Sequence, residues 1–138
     1  MIFFTASTAD ITAGNLCGFF DGWPNPPSTE THLALLANSA EVVLAVDDES
    51  GDVVGFVQAI SDGILSAYIP LLEVLPAYRG RGIGSELMRR MLDRLKGLYM
   101  VDVTCDPELQ PFYARLGMKP ASAMMIRRYE RQCGAEKP

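Results

Sequence analysis

The stretch from Pro70 to Lys96 reads PLLEVLPAYRGRGIGSELMRRMLDRLK, and the rest of the chain is organised around it. An apolar run stops at Pro76, a loop carries Gly80, Gly82 and Gly84, and Ile83, Leu87, Met91, Leu92 and Leu95 then recur with the helical period. The pattern predicts strand, glycine loop and helix, with Gly97 as the stop. Glycines at such a junction let a bound group approach the backbone, because no Cβ stands in the way. The first amides of the helix lack intrahelical acceptors and lie at the positive end of its dipole, so the junction suits a phosphate. The expected guest is a phosphorylated cofactor.

Spacing separates the cofactors that use such loops. A P-loop needs Lys followed by Ser or Thr after its last glycine, whereas Ser85 and Glu86 follow Gly84. A dinucleotide-binding site of an NAD-dependent oxidoreductase fits better. Gly80 and Gly82 match its first two glycines, Ser85 would replace the third, and Asp102 lies near where a ribose-binding acid belongs. That fingerprint opens a series of βαβ units of ~30 residues each, and the chain after the helix is too short for several.

The third reading is a resemblance. Arg79-Gly80-Arg81-Gly82-Ile83-Gly84, in the pattern Arg/Gln-x-x-Gly-x-Gly/Ala and preceded by Val74-x-Pro76, resembles the acetyl-CoA loop of the GNAT family of N-acetyltransferases. Pro111-Phe112-Tyr113-Ala114-Arg115-Leu116-Gly117-Met118 is similar to that family's Phe-Tyr-x-x-Leu-Gly-Phe segment, at the expected distance downstream. The resemblance implies an α+β fold of three layers: a central mixed, mostly antiparallel sheet with a parallel splayed strand pair, flanked by helices. It implies acetyl-CoA as cosubstrate, no metal, and direct acetyl transfer to a primary amine in a ternary complex. A homodimer is expected on the same ground alone.

Site residues follow from the resemblance position by position. The edge at Leu72, Glu73 and Val74 would take the pantetheine arm as though it were an added strand. The amides of Arg79, Gly80, Arg81, Gly82, Ile83, Gly84 and Ser85 would cradle the pyrophosphate. Tyr113 matches the family's proton donor to the leaving thiolate. Glu73 is the candidate general base, but if Leu72 and Val74 share a face, alternation sends Glu73 to the other unless a bulge re-aims it. Asp62, Tyr68 and water are the alternatives. Asp106 stands where many members carry an Asn that contacts the pantetheine amide, and an Asp can accept there but not donate. That departure, with Ser61-Asp62-Gly63 and Phe112-Tyr113, is similar to a subset that includes bacterial relatives and the plant and cyanobacterial serotonin N-acetyltransferases. Phe19, Phe20 and Trp23, beside a proline-rich turn, could wall the amine pocket or equally form core.

Composition bounds the rest. A chain of 138 residues with 49% hydrophobic content supports one domain, 1–138, with a full core. The formal charge of -5 argues against a nucleic-acid partner. Cys17, Cys105 and Cys133 are odd in number and widely spaced, which fits reduced thiols in the cytoplasm rather than disulfides or zinc. His32 is the single histidine and is expected on a helix surface. No apolar run approaches the ~20 residues of a membrane helix, and the N-terminus lacks a basic leader.

Along the chain, Ile2–Thr5 reads as a strand, and a first helix capped by Thr8 or Asp10, with Ile11, Leu16, Phe19 and Phe20 as its apolar face, ends near Asp21-Gly22, followed by a stiff turn through Pro24, Pro26 and Pro27. Ser28 caps a second helix running to about Asn38. Val42–Val46 and Val53–Ile60 form a hairpin, and Ile64–Leu75 is the third antiparallel strand. Leu98–Thr104 reads as a strand parallel to it, Asp106–Leu116 as a helix, and Met124–Tyr129 as a last strand before a polar tail expected to fray from Arg131. A non-catalytic acyl-CoA-binding module remains the rival to an enzyme.

Overall fold

The amphipathic run after the glycine loop does fold as a helix, and the sheet it covers explains the remaining elements. The computed structural model describes residues 1–134. In chain order these form β1 (Ile2–Thr5), α1 (Thr29–Ala37), β2 (Glu41–Asp47), β3 (Val53–Ser61), β4 (Ser66–Tyr68), β5 (Leu72–Val74), α2 (Ile83–Arg94), β6 (Met100–Asp102) and α3 (Gln110–Ala114). Short 3-10 turns lie at Ala13–Asn15, Pro76–Tyr78, Pro107–Leu109 and Tyr129–Arg131. The sheet runs β1-β2-β3-β4-β6, with β5 also paired to β3. Every described pair is antiparallel except β4 with β6. No helix among the described residues is long and apolar enough to cross a membrane.

Two cores cover the two faces of the sheet. On one, Ile83, Leu87, Met88 and Met91 of α2 pack with Val43, Ala45, Val54, Val57 and Tyr113. On the other, Leu36 of α1 packs with Leu16, Phe19, Phe20, Val42, Leu44, Val46 and Phe56. The period-two split of β2 between the two clusters is what a strand buried on both faces requires. Gly55 of β3 lies beneath α2: a Cβ there would sit 3.1 Å from Leu87 and 3.3 Å from Ile83.

The strand expected over Ile64–Leu75 is broken into β4 and β5 by one extra residue. β3 pairs Ile60 with Tyr68 in β4 but Val57 with Leu72 in β5, so the register moves by one position across Ile69-Pro70-Leu71. This bulge resets the alternation. Ala67 and Ile69 face α2 before it, Leu72 and Val74 face α2 after it, and Leu71 packs on the opposite core. Glu73 is thereby turned away from α2.

Several expectations are corrected. The first helix expected between the caps Thr8 or Asp10 and Asp21-Gly22 is absent; only the turn Ala13–Asn15 forms, because Gly18 and Phe20 adopt left-handed backbone (φ 92° and 63°) that a right-handed helix excludes. His32 is not on a surface: it is 1% exposed, sharing the buried side of α1 with Leu36 four residues on. Apolar residues surround this helix on all sides, so periodicity could not choose its inner face. The strand over Leu98–Thr104 shrinks to β6, and the helix from Asp106 begins as a 3-10 turn before α3. Met124–Tyr129 forms no strand, because among the described residues no neighbouring strand reaches it. The tail is anchored as far as residue 134, and its remainder lies outside the described residues.

Candidate active site

β5 is bonded on one edge only. It pairs with β3 through Gly55 to Val74, Phe56 to Glu73 and Val57 to Leu72, and among the described residues no strand pairs with its other edge. β6 follows β4 through Ser66 to Tyr68, and the Ile69 amide donates to the Asp102 carbonyl at 3.0 Å. Beyond that bond the two strands part. The seam left open beside Leu72, Glu73 and Val74 leaves an edge to which an extended guest could bond, the geometry of strand addition, with the Val74 carbonyl already accepting from Arg79.

The open edge runs directly into the glycine loop. After the turn Pro76–Tyr78, Gly80 and Gly82 take φ of 79° and 80°, and Gly82 is the residue from which α2 starts. A Cβ built at either would meet nothing within 4 Å, so the space above the loop is clear for a ligand. The first helical bond runs from the Glu86 amide to the Gly82 carbonyl at 3.1 Å, which leaves the amides of Ile83, Gly84 and Ser85 at the helix start without helical acceptors. Glu86 is held away from the opening by Arg89 and by Arg90, the latter at 2.8 Å. Gly84 joins the parts: a Cβ there would stand 3.8 Å from Val74 and 3.9 Å from Phe112.

The two loop arginines are used locally. Arg79 Nε donates to the Val74 carbonyl at 2.9 Å, and its Nη2 lies 3.6 Å from Asp21 Oδ2. Arg81 donates to the Ala77 carbonyl at 3.2 Å and lies over the Tyr78 ring. Both remain largely exposed.

Tyr113 projects from α3 into the core beneath the seam and is 8% exposed. Burial raises its pKa above the ordinary 10.0, with nearby Cys105 and Tyr68 adding to the effect, so the phenol keeps its proton. Asp106 precedes the turn Pro107–Leu109 and is exposed; its carboxylate makes no capping bond and is available to an N–H donor. Asp62 accepts from the amides of Ile64, Leu65 and Ser66, bonds that lower its pKa and mark it as a turn cap.

Glu73 caps a different turn. Its Oε1 accepts from the Phe20 amide at 2.8 Å and its Oε2 from the Asp21 amide at 3.1 Å. A cavity of about 250 Å³ opens beside it, lined by Asp21, Trp23, Phe56, Pro70, Leu71, Leu72, Glu73 and Arg79. Of the three aromatic residues expected to wall an amine pocket, Trp23 lines this cavity. Phe19 and Phe20 lie in the core, edge-on to His32. Asp21, Phe56 and Pro70 were not legible as pocket residues, since the bulge and the turn at Phe20 that bring them together carry no sequence signature. The lining carries both signs, since Asp21 pairs with Arg79 and both Glu73 oxygens accept backbone amides, and with the Trp23 indole over it the cavity suits a compact polar guest.

The dinucleotide reading fails on topology, because the sheet holds a single parallel pair among the described strands. The sequence matches the acetyltransferase (GNAT) family over residues 9–118. A crystal structure of a candidate acetyltransferase from Deinococcus radiodurans superposes with a TM-score of 0.94 at 52% identity, covering 99% of this chain and 94% of that one. Glucosamine 6-phosphate N-acetyltransferase 1 of Oryza sativa is 30% identical over 141 residues, 85% of this chain and 80% of its own length. Serotonin N-acetyltransferase 2 of the same species is 29% identical, with 80% of this chain and 58% of its own length covered. The chain spans little more than half the length of several curated relatives it matches, 57% for an uncharacterised N-acetyltransferase of Porphyra purpurea. Family match, sheet and open seam agree: this chain belongs to the GNAT family of acetyltransferases, which move an acyl group from acetyl-CoA to an amine.

Proposed function

We propose that the protein transfers the acetyl group of acetyl-CoA to a primary amine on a small molecule, by direct attack within a ternary complex. The observation that carries this reading is the edge of β5 that no described strand pairs, followed through the turn Pro76–Tyr78 by the cleared glycine loop. Pantetheine would bond along Leu72, Glu73 and Val74, its carbonyl and amide groups taking the place of a strand. The pyrophosphate would lie on the amides from Arg79 to Ser85, and the Asp106 carboxylate would accept from a pantetheine N–H.

This leaves the thioester between β5 and Tyr113. A neutral amine seated in the cavity under Trp23 forms the new C–N bond as the C–S bond breaks. A β5 backbone amide faces the developing oxyanion, and the Tyr113 phenol gives its proton to the departing sulfur. Since both Glu73 oxygens already accept backbone bonds, we assign Glu73 to positioning and the amine proton to water. Most of the rate would come from holding the reactants together.

Small amines named for relatives, glucosamine 6-phosphate and serotonin, set the scale of the acceptor. The cavity of about 250 Å³, with Asp21, Glu73, Arg79 and Trp23 on its wall, favours a compact amine that can lie against the indole. Release of free thiol from acetyl-CoA over a panel of such amines, compared between the wild type and Tyr113→Phe, tests the reading. Turnover lost in Tyr113→Phe with coenzyme A binding intact supports it. Tight coenzyme A binding with no thiol release on any amine would favour a non-catalytic acyl-CoA-binding module.

A further inference from the structure

The face of the sheet that carries Glu73 is ordered in rows across the strands. Phe56 of β3 pairs with Glu73 of β5, and both line the cavity. In the next row Val42 of β2 pairs with Gln58, whose amide donates to the Leu71 carbonyl at 3.2 Å. Val42 and Leu71 both pack on the α1 side, so Gln58 shares that side with them. In the row after, Ile60 pairs with Tyr68 and is 59% exposed, past the cover of α1. Gln58 is thus the last covered position on this face, and it adjoins the cavity through Phe56 and Leu71.

Gln58 is 6% exposed and, among the described residues, is the one buried polar side chain on a strand. Its carboxamide is held by the nitrogen. Nε2 donates to Ser39 Oγ at 2.6 Å, and the Ser39 hydroxyl gives its own proton to the Leu35 carbonyl at 2.7 Å. With that proton committed, Ser39 can only accept from the carboxamide, so the nitrogen faces Ser39 and the oxygen faces away. Oε1 accepts no bond from any described residue. The buried side-chain atoms that lack both a partner and contact with solvent are those of His32, so Gln58 Oε1 opens onto free space. An amide pinned by its nitrogen, with its oxygen open and unpartnered at the rim of a cavity, is built to receive a donor.

We propose that Gln58 determines which acceptor is used: its carboxamide oxygen accepts from a hydroxyl that the acceptor carries beside its reacting amine, and Ser39 is the positioning residue. The acceptor class is then an amino alcohol rather than a simple alkylamine. Gln58 is uncharged and both Glu73 oxygens are taken, so a neutral donor suits the place better than a second ammonium. The inference rests on the acetyl-transfer reading for the position of the reacting end. With the pyrophosphate on the loop after β5, the arm runs back along the strand and its thioester lies by Leu72, one residue from Leu71.

The test compares ethanolamine with propylamine, which differ by a hydroxyl in place of a methyl. Binding is read without turnover, from the side-chain amide resonance of Gln58 in isotopically labelled protein with coenzyme A present, the resonance being identified by its loss in Gln58→Leu. Ethanolamine is expected to shift that resonance and to bind at least about tenfold more tightly than propylamine. In Gln58→Leu the preference should vanish, and in Ser39→Ala, which frees the nitrogen and keeps the oxygen, it should fall about threefold. Equal or undetectable binding of the two amines by the wild type would overturn the proposal, as would a preference that survives Gln58→Leu. A role for Gln58 in stability alone would lower the melting temperature of the variant and leave the ratio unmoved. A preference that appears without thiol release from acetyl-CoA would sink the acetyl-transfer reading and leave the hydroxyl site standing.

Discussion

The carboxylate of Glu73 holds the backbone of Phe20, accepting its amide at 2.8 Å across a gap of fifty-three residues in sequence. Phe20 is the one non-glycine described residue with a positive φ, 63°, a conformation that costs about 1–2 kcal/mol for an L-residue. Bonds from the Phe20 and Asp21 amides to a charged acceptor offset that cost. Arg79 bonds the Val74 carbonyl and lies 3.6 Å from Asp21, so polar contacts link the strand proposed to carry the cofactor to the loop that presents Trp23.

Replacing Glu73 should therefore act on the loop. In Glu73→Gln one oxygen becomes a donor facing an amide donor, and urea denaturation is expected to show a loss of about 1–3 kcal/mol. The KM for the amine should rise while kcat changes less than about tenfold, and the acid limb of the pH profile of kcat/KM should remain. Disappearance of that limb with a fall in kcat of ~10² or more would return the base role to Glu73.

Tyr113→Phe removes the phenol but keeps the ring that packs against α2. We expect kcat to fall by roughly 10²-fold while stability and coenzyme A affinity are nearly unchanged. Because burial raises the Tyr113 pKa above 10.0, the wild-type rate should hold through mildly alkaline pH and decline only above that value. A decline centred well below it would show that another group gives the proton.

Gly55 sets how closely the start of α2 approaches the sheet. A larger residue would press on Leu87 and Ile83, which Cβ alone would meet at 3.1 and 3.3 Å. Gly55→Val is expected to cost about 1–3 kcal/mol by overpacking and to weaken coenzyme A binding by shifting the helix start. Gly63→Ala, where the same carbon would meet nothing within 4 Å, should show only the backbone cost of a φ of 74°. Equal behaviour of the two variants would disprove the packing argument.

His32 makes stability depend on pH. Its ring nitrogens have no hydrogen-bond partner, and burial lowers its pKa from 6.5 to about 4. The neutral form is the one the fold favours, so the contribution is complete above the unfolded value of 6.5 and is lost as pH falls toward about 4. The difference is about 3 kcal/mol at most, from 1.36 kcal/mol per unit. Urea midpoints measured across that window should fall in the wild type and stay level in His32→Phe. Asp47 and Asp62, both with lowered pKa, act only below their ordinary 3.8 and leave the window clear.

The glycine loop and its helix were legible because local chemistry demands them, whereas the block Pro111–Met118 was legible only by its resemblance to the family. A left-handed loop needs its glycines at 80 and 82, and an amphipathic helix needs Ile83, Leu87 and Met91 in phase. The cap of α1 was equally plain: Ser28 Oγ accepts from the Thr31 amide at 3.1 Å. The first helix was misread because Ile11, Leu16, Phe19 and Phe20 are spaced for a helix but are buried by a chain that turns at Gly18 and Phe20. The tail strand was misread because a strand exists only where another strand bonds to it.

From its residues alone this chain specified the glycine loop and the helix behind it, since both depend on short-range geometry, while the GNAT fold and the candidacy of Tyr113 were legible only through the resemblance of two motif blocks. The tertiary structure decided which way Glu73 faces, that Trp23 rather than Phe19 or Phe20 lines the cavity, and that His32 is buried. Those outcomes follow from a one-residue bulge at Ile69-Pro70-Leu71 and a turn at Phe20, each stabilised by partners far away in the sequence. Adding or removing one residue of register exchanges the two faces of a strand, and no local pattern records that choice.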